Sequence, residues 1–227
     1  MKKRKKGSRI IPVILLVLVL GLAGLYLWQR ENIRALYKVL TTDSETIAQD
    51  LEQVRQDHLK ELEEAAHVAI RVQPVTTQQS EDLLNGKVTV EEVQQQMGYV
   101  PQDPEQTVTQ PSGKEDIINQ CIAELYAYKA EVMGYLGGLK QTAIGEWNAL
   151  QPSQRTAVKK AEIISAGIGK CYNYEATVDG KVQEILARYR PKLTELGEDT
   201  APIDILWKQY CDEKEAEKSY YFDQYVN

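Results

Sequence analysis

The fold is decided by residues 115–150, EDIINQCIAELYAYKAEVMGYLGGLKQTAIGEWNAL, and by the break that follows at Gln151, Pro152 and Ser153. Apolar side chains recur in this stretch every three or four residues, which is the period of one face of an α-helix. The residue before a proline resists the α conformation and proline suits a first helical turn, so Pro152 predicts that one helix ends and another begins. The predicted core face of the first helix consists of Ile118, Ile122, Leu125, Val132, Leu136, Leu139, Ala143, Trp147 and Leu150.

Two more long helices are predicted beyond this break. The second is closed by Pro191 and then Gly197, and the third opens after Thr200. Three long helices joined by short turns predict an antiparallel three-helix bundle over residues 115–227, in a protein of the all-α class. Residues 212–218 are so polar that we expect them to be solvated. The predicted core face of the second helix consists of Ala161, Ile164, Ile168, Cys171, Val178, Val182, Ile185 and Tyr189, interrupted by Glu175.

Residues 29–70 predict a membrane-proximal helix. After a capping box at Thr42-Asp43-Ser44-Glu45, apolar positions follow one another at spacings of three and four residues. This pattern predicts a stalk that pairs with a partner helix as a coiled coil, although it spans under four heptads and places a histidine at the seam. The predicted seam consists of Ile47, Leu51, Val54, His58, Leu62 and Ala65.

Residues 71–114 predict a linker that contains a short helix pair. Four prolines and many Thr and Gln residues interrupt the helical pattern. Between Ser80 and Gly98, the Asn85-Gly86 pair ends one short helix, and the capping box Thr89-x-x-Glu92 starts another. A connector with local helicity is the favoured interpretation, and a small independent recognition module is the alternative.

The N-terminus predicts a membrane anchor. Residues 1–9 form a basic tail, and the 19 residues from Ile10 to Trp28 carry no charge. At 1.5 Å per residue this run is roughly 28 Å long, close to the hydrocarbon thickness of a bilayer. Positive flanks stay in the cytoplasm, so we expect a single-pass protein of the cell membrane with a cytoplasmic N-terminus and an extracytoplasmic C-terminal domain. Cleavage as a signal peptide after Gly21-Leu22-Ala23 is the alternative.

Charge and motifs argue against several functions. Residues 30–227 carry 21 basic and 33 acidic side chains, a net of −12, and such a domain repels nucleic acid. The run from Gly167 to Cys171 resembles a phosphate loop but lacks the first glycine, the Ser or Thr after the lysine, and a preceding strand.

His58 and His67 are nine residues apart and do not share a helix face. We therefore expect no catalytic, cofactor-binding or metal-binding residue, and no cofactor.

The three cysteines predict one candidate bridge. If the helices fold back near Pro152 and Gly197, Cys121 and Cys211 lie about one helical turn apart, whereas Cys171 lies far from both. Disulfides persist outside the cytoplasm, so a Cys121–Cys211 disulfide is one hypothesis. Three buried thiols are the alternative, since cysteine is also a small core residue.

Four glycines inside the first long helix need an explanation. Gly134, Gly137, Gly138 and Gly145 each weaken a helix by roughly 1 kcal/mol relative to alanine. A kink or a mobile site would account for them, but close approach of another helix is the explanation we favour.

Two segments carry a resemblance to known proteins. Residues 150–156, Leu-Gln-Pro-Ser-Gln-Arg-Thr, and residues 213–221, Glu-Lys-Glu-Ala-Glu-Lys-Ser-Tyr-Tyr, resemble segments of uncharacterised single-pass helical extracytoplasmic proteins of Gram-positive bacteria. The resemblance is confined to residues 115–227. It implies a bacterial cell-surface setting and adds no site residue.

Two functions from different classes are compatible with these patterns. The first is a membrane-anchored interaction or scaffold protein of the cell envelope, without catalysis, which offers helical faces to protein partners and is able to oligomerise. The second is a cell-wall-associated receptor or enzyme acting on an envelope polymer, which needs a concave pocket that a small helical bundle seldom provides. The tyrosines, of which there are 13, are spread over all the helices and do not define such a site.

Overall fold

The computed structural model describes residues 41–99 and 113–226, and in these ranges the protein is built of α-helices with no strand. The predicted all-α class is therefore confirmed. The basic tail and the predicted span from Ile10 to Trp28 lie outside the described residues, and no helix in the described part is long and apolar enough to cross a bilayer. The helices are α1 Ser44–Ala66, α2 Thr77–Leu84, α3 Val90–Gln96, α4 Lys114–Ala149, α5 Ala157–Glu195 and α6 Ala201–Val226, with a 3-10 turn at Pro152–Gln154.

Short polar side chains set the helix starts. The carboxylate of Asp43 accepts the backbone N–H of Thr46 at 2.9 Å, so α1 is capped one residue later than the predicted box at Thr42. The predicted capping box of Thr89 is confirmed, because its hydroxyl accepts the N–H of Glu92 while the Glu92 side chain accepts the N–H of Thr89. Thr76 makes the same arrangement at α2, which therefore begins at Thr77 and before the expected Ser80.

The ends of the long helices also follow local signals. Helix α5 continues through Pro191 and ends at Glu195, two residues before Gly197, which has φ +72°. Gly197 thus ends the helix as expected, because glycine adopts this left-handed conformation without a steric cost. Pro191 is tolerated inside the helix, although its ring removes one backbone donor.

The described chain forms two compact units, and the boundaries fall inside α1 and α6. The terminal unit contains α1 up to His58 together with α6 from Gln209 onward. The central unit contains residues 59–208. The polar second half of α6 therefore belongs with α1 and is not part of the compact unit that holds α4 and α5.

In the central unit, α4 and α5 form an antiparallel hairpin. Glu124, near the start of α4, lies beside Arg188 near the end of α5, and the Tyr189 hydroxyl donates to Glu124 at 2.9 Å. The short pair α2 and α3 packs on α4, and the start of α6 lies against the end of α5, where Arg190 donates to Asp204 at 2.5 Å. The bundle character of the prediction is thus confirmed. We call the part of the hairpin on which these other helices pack its base, and the core at the base contains Val93, Ile117, Ile118, Ile122, Val182, Ile185, Leu193 and Ile203.

Candidate interaction surface

The terminal unit is organised by one buried arginine of α1. The Arg55 side chain is only 4% exposed, its Nε donates to Glu213 at 2.7 Å, and its Nη2 donates to Glu217 at 2.7 Å. Burial alone would lower the pKa of Arg55, but the charges of these two carboxylates raise it above its usual value. A buried charge needs such partners, so the two glutamates, one helical turn apart, hold α6 to α1.

This arrangement corrects two expectations. Residues 212–218, expected to be solvated, are half-buried or buried, and three of them contact α1, Asp212 through His58 and Glu213 and Glu217 through Arg55. The seam of α1 contains Arg55 where the sequence suggested Val54, and Ala66 in place of Ala65. Helical periodicity alone does not reveal a charged residue at a seam, because the partner carboxylates lie 158 and 162 residues further along the chain.

The histidines occupy separate environments, as their spacing suggested. His58 Nε2 lies 3.3 Å from Asp212, and the His58 backbone carbonyl accepts the Gln209 side chain, both within the terminal unit. His67 follows the last turn of α1 with φ 52° and is exposed. Among the described residues, no group of three or more His, Cys, Asp or Glu side chains is placed to hold a metal ion.

The outer part of the α4–α5 hairpin has a different surface from its base. We call residues 135–172 the arm. Within the arm only Gly137 and Ile163 are buried. The described structure has seven exposed large apolar side chains, and six of them belong to the arm, the seventh being Leu196. The six are Tyr135, Ile144, Val158, Ile164, Ile168 and Tyr172, with Val158 69% exposed.

The exposed side chains of α5 continue a core face. From Ile164 to Tyr189 the positions 164, 168, 171, 175, 178, 182, 185 and 189 alternate spacings of four and three residues, so they share one side of the helix. This side is buried from Val178 onward and exposed at Ile164 and Ile168. The expectation that Ala161, Ile164 and Ile168 lie in a core is therefore wrong for this chain alone.

The reason is that the covering elements end within the first turns of the arm on α4 and before the arm on α5. On α4, cover by the short pair reaches Lys140 and Gln141, which donate to the side chain and backbone of Asn85 at 2.7 and 3.4 Å. On α5, the start of α6 lies against the stretch from Gln183 to Arg190. Within the described structure, the part of the arm beyond Gln141 is consequently a pair of helices without a third element on its apolar side.

The space around the glycines also changes along the hairpin, from close packing to open space. A Cβ atom added at Gly134 would lie 2.6 Å from the Val90 side chain, and one at Gly137 would lie 2.5 Å from the Leu83 carbonyl oxygen. The predicted close packing is confirmed at these two positions. It is wrong for Gly138 and Gly145, where an added Cβ would meet nothing within 4 Å, and the same open space surrounds Gly167 and Gly169 of α5.

The arm also differs in charge from the rest of the chain. It has five basic and two acidic residues, a net of +3, whereas residues 41–134 have 6 basic and 18 acidic residues, a net of −12. Residues 173–227 have 7 basic and 12 acidic residues, a net of −5. Arg155 donates to the carbonyls of Leu150 and Asn148 and so fixes the turn at the end of the arm, while Lys160 and Lys170 are exposed.

A group of tyrosines lies where the arm joins the base. The rings of Tyr135 and Tyr174 are 4.0 Å apart between centroids, and Tyr128 shares a hydrogen bond with Tyr174. Burial, followed by the nearby Tyr174, raises the pKa of the Tyr128 hydroxyl. Sequence reasoning missed this group because its members are far apart in number and come from two helices.

The cysteines leave the proposed bridge untested. Cys121 is a fully buried thiol whose pKa is raised by burial, Cys171 is half-buried in the arm, and Cys211 is half-buried on α6. Cys121 belongs to the central unit and Cys211 to the terminal unit, so their pairing stays a prediction. The run from Gly167 to Cys171 lies inside the continuous helix α5, where no phosphate loop is formed.

Comparison with protein-family models, curated proteins and solved structures finds no match for this chain. The resemblance to Gram-positive extracytoplasmic proteins therefore stays a prediction. Of the two segments that carry it, residues 150–156 form the turn at the end of the arm, and residues 213–221 include the two glutamates that hold Arg55.

Proposed function

We propose that this chain is a membrane-tethered, extracytoplasmic interaction or scaffold protein of a bacterial cell envelope, without catalysis. The observation that carries the proposal is the arm, which holds six of the seven exposed large apolar side chains of the described structure and has a net charge of +3. Exposed apolar clusters of this kind mark interaction sites on soluble domains.

Tethering is supported by the sequence of residues 1–28. Nineteen uncharged residues preceded by six basic ones are typical of a single membrane span with its N-terminus in the cytoplasm. With this orientation the described helices lie outside the cytoplasm, where the arm is available to proteins of the envelope.

The tether is tested by protease treatment of intact and lysed cells that produce the full chain with a C-terminal epitope. We expect the epitope to be lost in intact cells and the protein to stay in the membrane fraction after alkaline carbonate extraction. The mass of the purified protein distinguishes a retained anchor from a chain cleaved after Ala23. An epitope protected in intact cells and lost only on lysis would contradict the proposed sidedness.

A second candidate, a receptor for an envelope polymer, is favoured by one observation. The rings of Tyr135 and Tyr172 are exposed on the arm, and such rings pack an apolar surface while the hydroxyl stays in water. Isolated wall polymer that sediments the full chain, and fails to sediment a Tyr135→Ala/Tyr172→Ala variant, would favour this candidate. Retention of binding in that variant would remove it.

A further inference from the structure

We infer that Asn85 is a site of spontaneous deamidation, and that the main product, an isoaspartate, loosens the end of the short pair α2 and α3 from α4. This inference goes beyond the proposed function, because it needs neither the membrane tether nor a partner. The site is the turn that Asn85 and Gly86 form after α2.

The reaction consumes only water. The backbone nitrogen of Gly86 gives up its proton and bonds to the side-chain carbonyl carbon of Asn85, and the side-chain amide nitrogen leaves as ammonia. Water then opens the cyclic imide at one of its two carbonyls. Opening at the carbonyl beside the Cα atom is favoured, because the attached backbone nitrogen withdraws electrons. This opening gives isoaspartate, in which the main chain runs through the former side chain and is longer by one CH2 group.

The residue after Asn85 favours this ring closure. Glycine has no Cβ atom, so its nitrogen approaches a neighbouring group without a steric cost. A Cβ atom added at Gly86 would meet nothing within 4 Å, and both residues of the pair are exposed. Water therefore reaches the reacting atoms, and ammonia can leave them.

The other described asparagines lie inside the long helices. Asn119 and Asn148 belong to α4 and Asn173 belongs to α5, and none of them is followed by glycine. Asn119 is also fixed by its side chain, whose Oδ1 accepts the Arg71 N–H at 2.7 Å. In the part of the chain that the structure describes, Asn85 alone precedes a glycine.

The folded turn slows the reaction without preventing it. The Gly86 N–H donates to the Leu83 carbonyl at 3.1 Å, and the Lys87 N–H donates to the Asp82 carbonyl at 2.8 Å. These are the two hydrogen bonds that close a helix before a left-handed glycine. The Gly86 nitrogen has to leave its bond before it attacks, and helix ends open far more often than the whole protein unfolds.

A second pair in the chain provides an internal control. Gly-Lys-Val follows both Asn85 and Asp179, and an aspartate before glycine forms the same cyclic imide with loss of water. Asp179 and Gly180 lie in the interior of α5, where backbone N–H groups bond to carbonyls four residues earlier. Ring closure there requires the helix to unwind. We therefore expect isoaspartate at residue 85 and none at residue 179.

The turn lies where the short pair contacts α4. Asn85 accepts Lys140 through its side chain at 2.7 Å and Gln141 through its backbone carbonyl at 3.4 Å. The carbonyl of nearby Leu83 leaves no room for a Cβ atom at Gly137. A longer main chain at residue 85 changes the spacing of the groups that close the turn. The isoaspartate form should therefore lose these hydrogen bonds, and with them the contact that ends the cover of α4.

The test follows the purified full chain in nanodiscs at mildly alkaline pH, where the attacking nitrogen loses its proton more readily. A synthetic peptide of residues 81–90 is the unfolded reference. Mass spectrometry of proteolytic fragments measures the mass gain at Asn85, and a protein isoaspartyl methyltransferase, which methylates isoaspartate and not aspartate, identifies the product. Asn85→Gln is the unreactive control, because its longer side chain closes a larger ring far more slowly.

We expect Asn85 in the full chain to react about tenfold more slowly than in the peptide, the factor that the hydrogen bonds of the turn impose. The gain should appear there before any is detected at Asn119, Asn148 or Asn173. In the modified fraction, hydrogen exchange of the Gly86 and Lys87 amides should become faster by about tenfold, since the same bonds are lost. Freshly purified Asn85→Asp, which has the charge without the longer main chain, should keep their protection.

Four results would overturn the inference. The first is an Asn85 that is still unmodified after about a hundred half-lives of the peptide, ten times the expected delay. The second is a rate equal to that of the peptide, which would show that the closed turn does not form. The third is a mass gain that the methyltransferase does not detect. The fourth is equal hydrogen exchange in the modified and unmodified fractions.

Discussion

The last helix and the arm distribute charge and apolar surface in opposite ways. In α6 an acidic stretch is covered, because Arg55 of α1 lies buried between Glu213 and Glu217. In α5 an apolar row is exposed, because no described element covers it. The difference shows that burial in this protein follows the availability of a partner helix and not the polarity of the surface alone.

The two regions also contribute differently to the stability of the chain. Removing one partner of a buried ion pair costs much of the free energy of unfolding, because the remaining charge is then buried without a partner. An exposed apolar side chain contributes little to the stability of its own chain, and its burial energy is still available for binding. The experiments that follow change one side of this comparison at a time.

The largest effect is expected for Arg55→Ala. It leaves Glu213 and Glu217 close together without the buried guanidinium, so the free energy of unfolding should fall by about 3–5 kcal/mol. Urea unfolding followed by circular dichroism measures the change. Arg190→Ala is the matched control, because Arg190 pairs with Asp204 at the surface and should cost no more than about 1 kcal/mol. Equal losses in the two variants would contradict the distinction between the covered and the exposed pair.

Glycine substitutions should have opposite signs along α4. Gly137→Ala would place a Cβ atom 2.5 Å from the Leu83 backbone carbonyl, and we expect a loss of about 1–3 kcal/mol from overpacking. Gly145→Ala meets open space and should gain up to about 1 kcal/mol from helix propensity. Thermal unfolding of both variants checks this, and a gain in both would show that the short helix pair does not press on α4.

Two neighbouring isoleucines of the arm allow a finer comparison. Ile163 is 9% exposed and Ile164 is 48% exposed. We expect Ile163→Ala to lower the free energy of unfolding by about 2 kcal/mol, near the low end for a core isoleucine. Ile164→Ala should change it by less than about 0.5 kcal/mol, as surface substitutions usually do. If Ile164→Ala were the more damaging of the two, the row would already be covered within the chain.

The smallest effect is a dependence on pH at the surface pair. The hydrogen bond from Arg190 lowers the pKa of Asp204 below its usual 3.8. A lowered folded-state pKa stabilises the protein above the unfolded pKa, and this contribution is lost as the pH falls through the folded value. The unfolding midpoint of Arg190→Gln should therefore lie slightly below that of the unchanged chain at pH 6 and approach it below pH 3.8. A difference that persists at pH 2 would point to packing and not to charge.

Local features of the fold could be predicted from the sequence. The class, the boundaries of the long helices and the capping of α3 depend on side chains within a few residues of each other, such as Thr89 with Glu92 and the break at Pro152. The close packing at Gly134 and Gly137 was predictable only in part, because a glycine costs helix stability and so suggests a close neighbour, yet the same reasoning was wrong at Gly138 and Gly145.

The partner of each helix face could not be predicted in this way. A periodic apolar row, such as Ile164 and Ile168, indicates that a face is suited to burial, but it does not say whether the covering helix belongs to the same chain. Arg55 was missed for a related reason, since an arginine beside Val54 is unremarkable until Glu213 and Glu217 are brought to it by the fold.

The pairing of Arg55 with the last helix has a consequence for synthesis. The first of its two glutamates is made 158 residues later, which at 5–20 residues per second takes roughly 8–30 s. Until then Arg55 lacks the two carboxylates that hold it in the folded chain, and this face of α1 is open to chaperones. The oldest described segment of each new molecule is thus among the last to reach its final state.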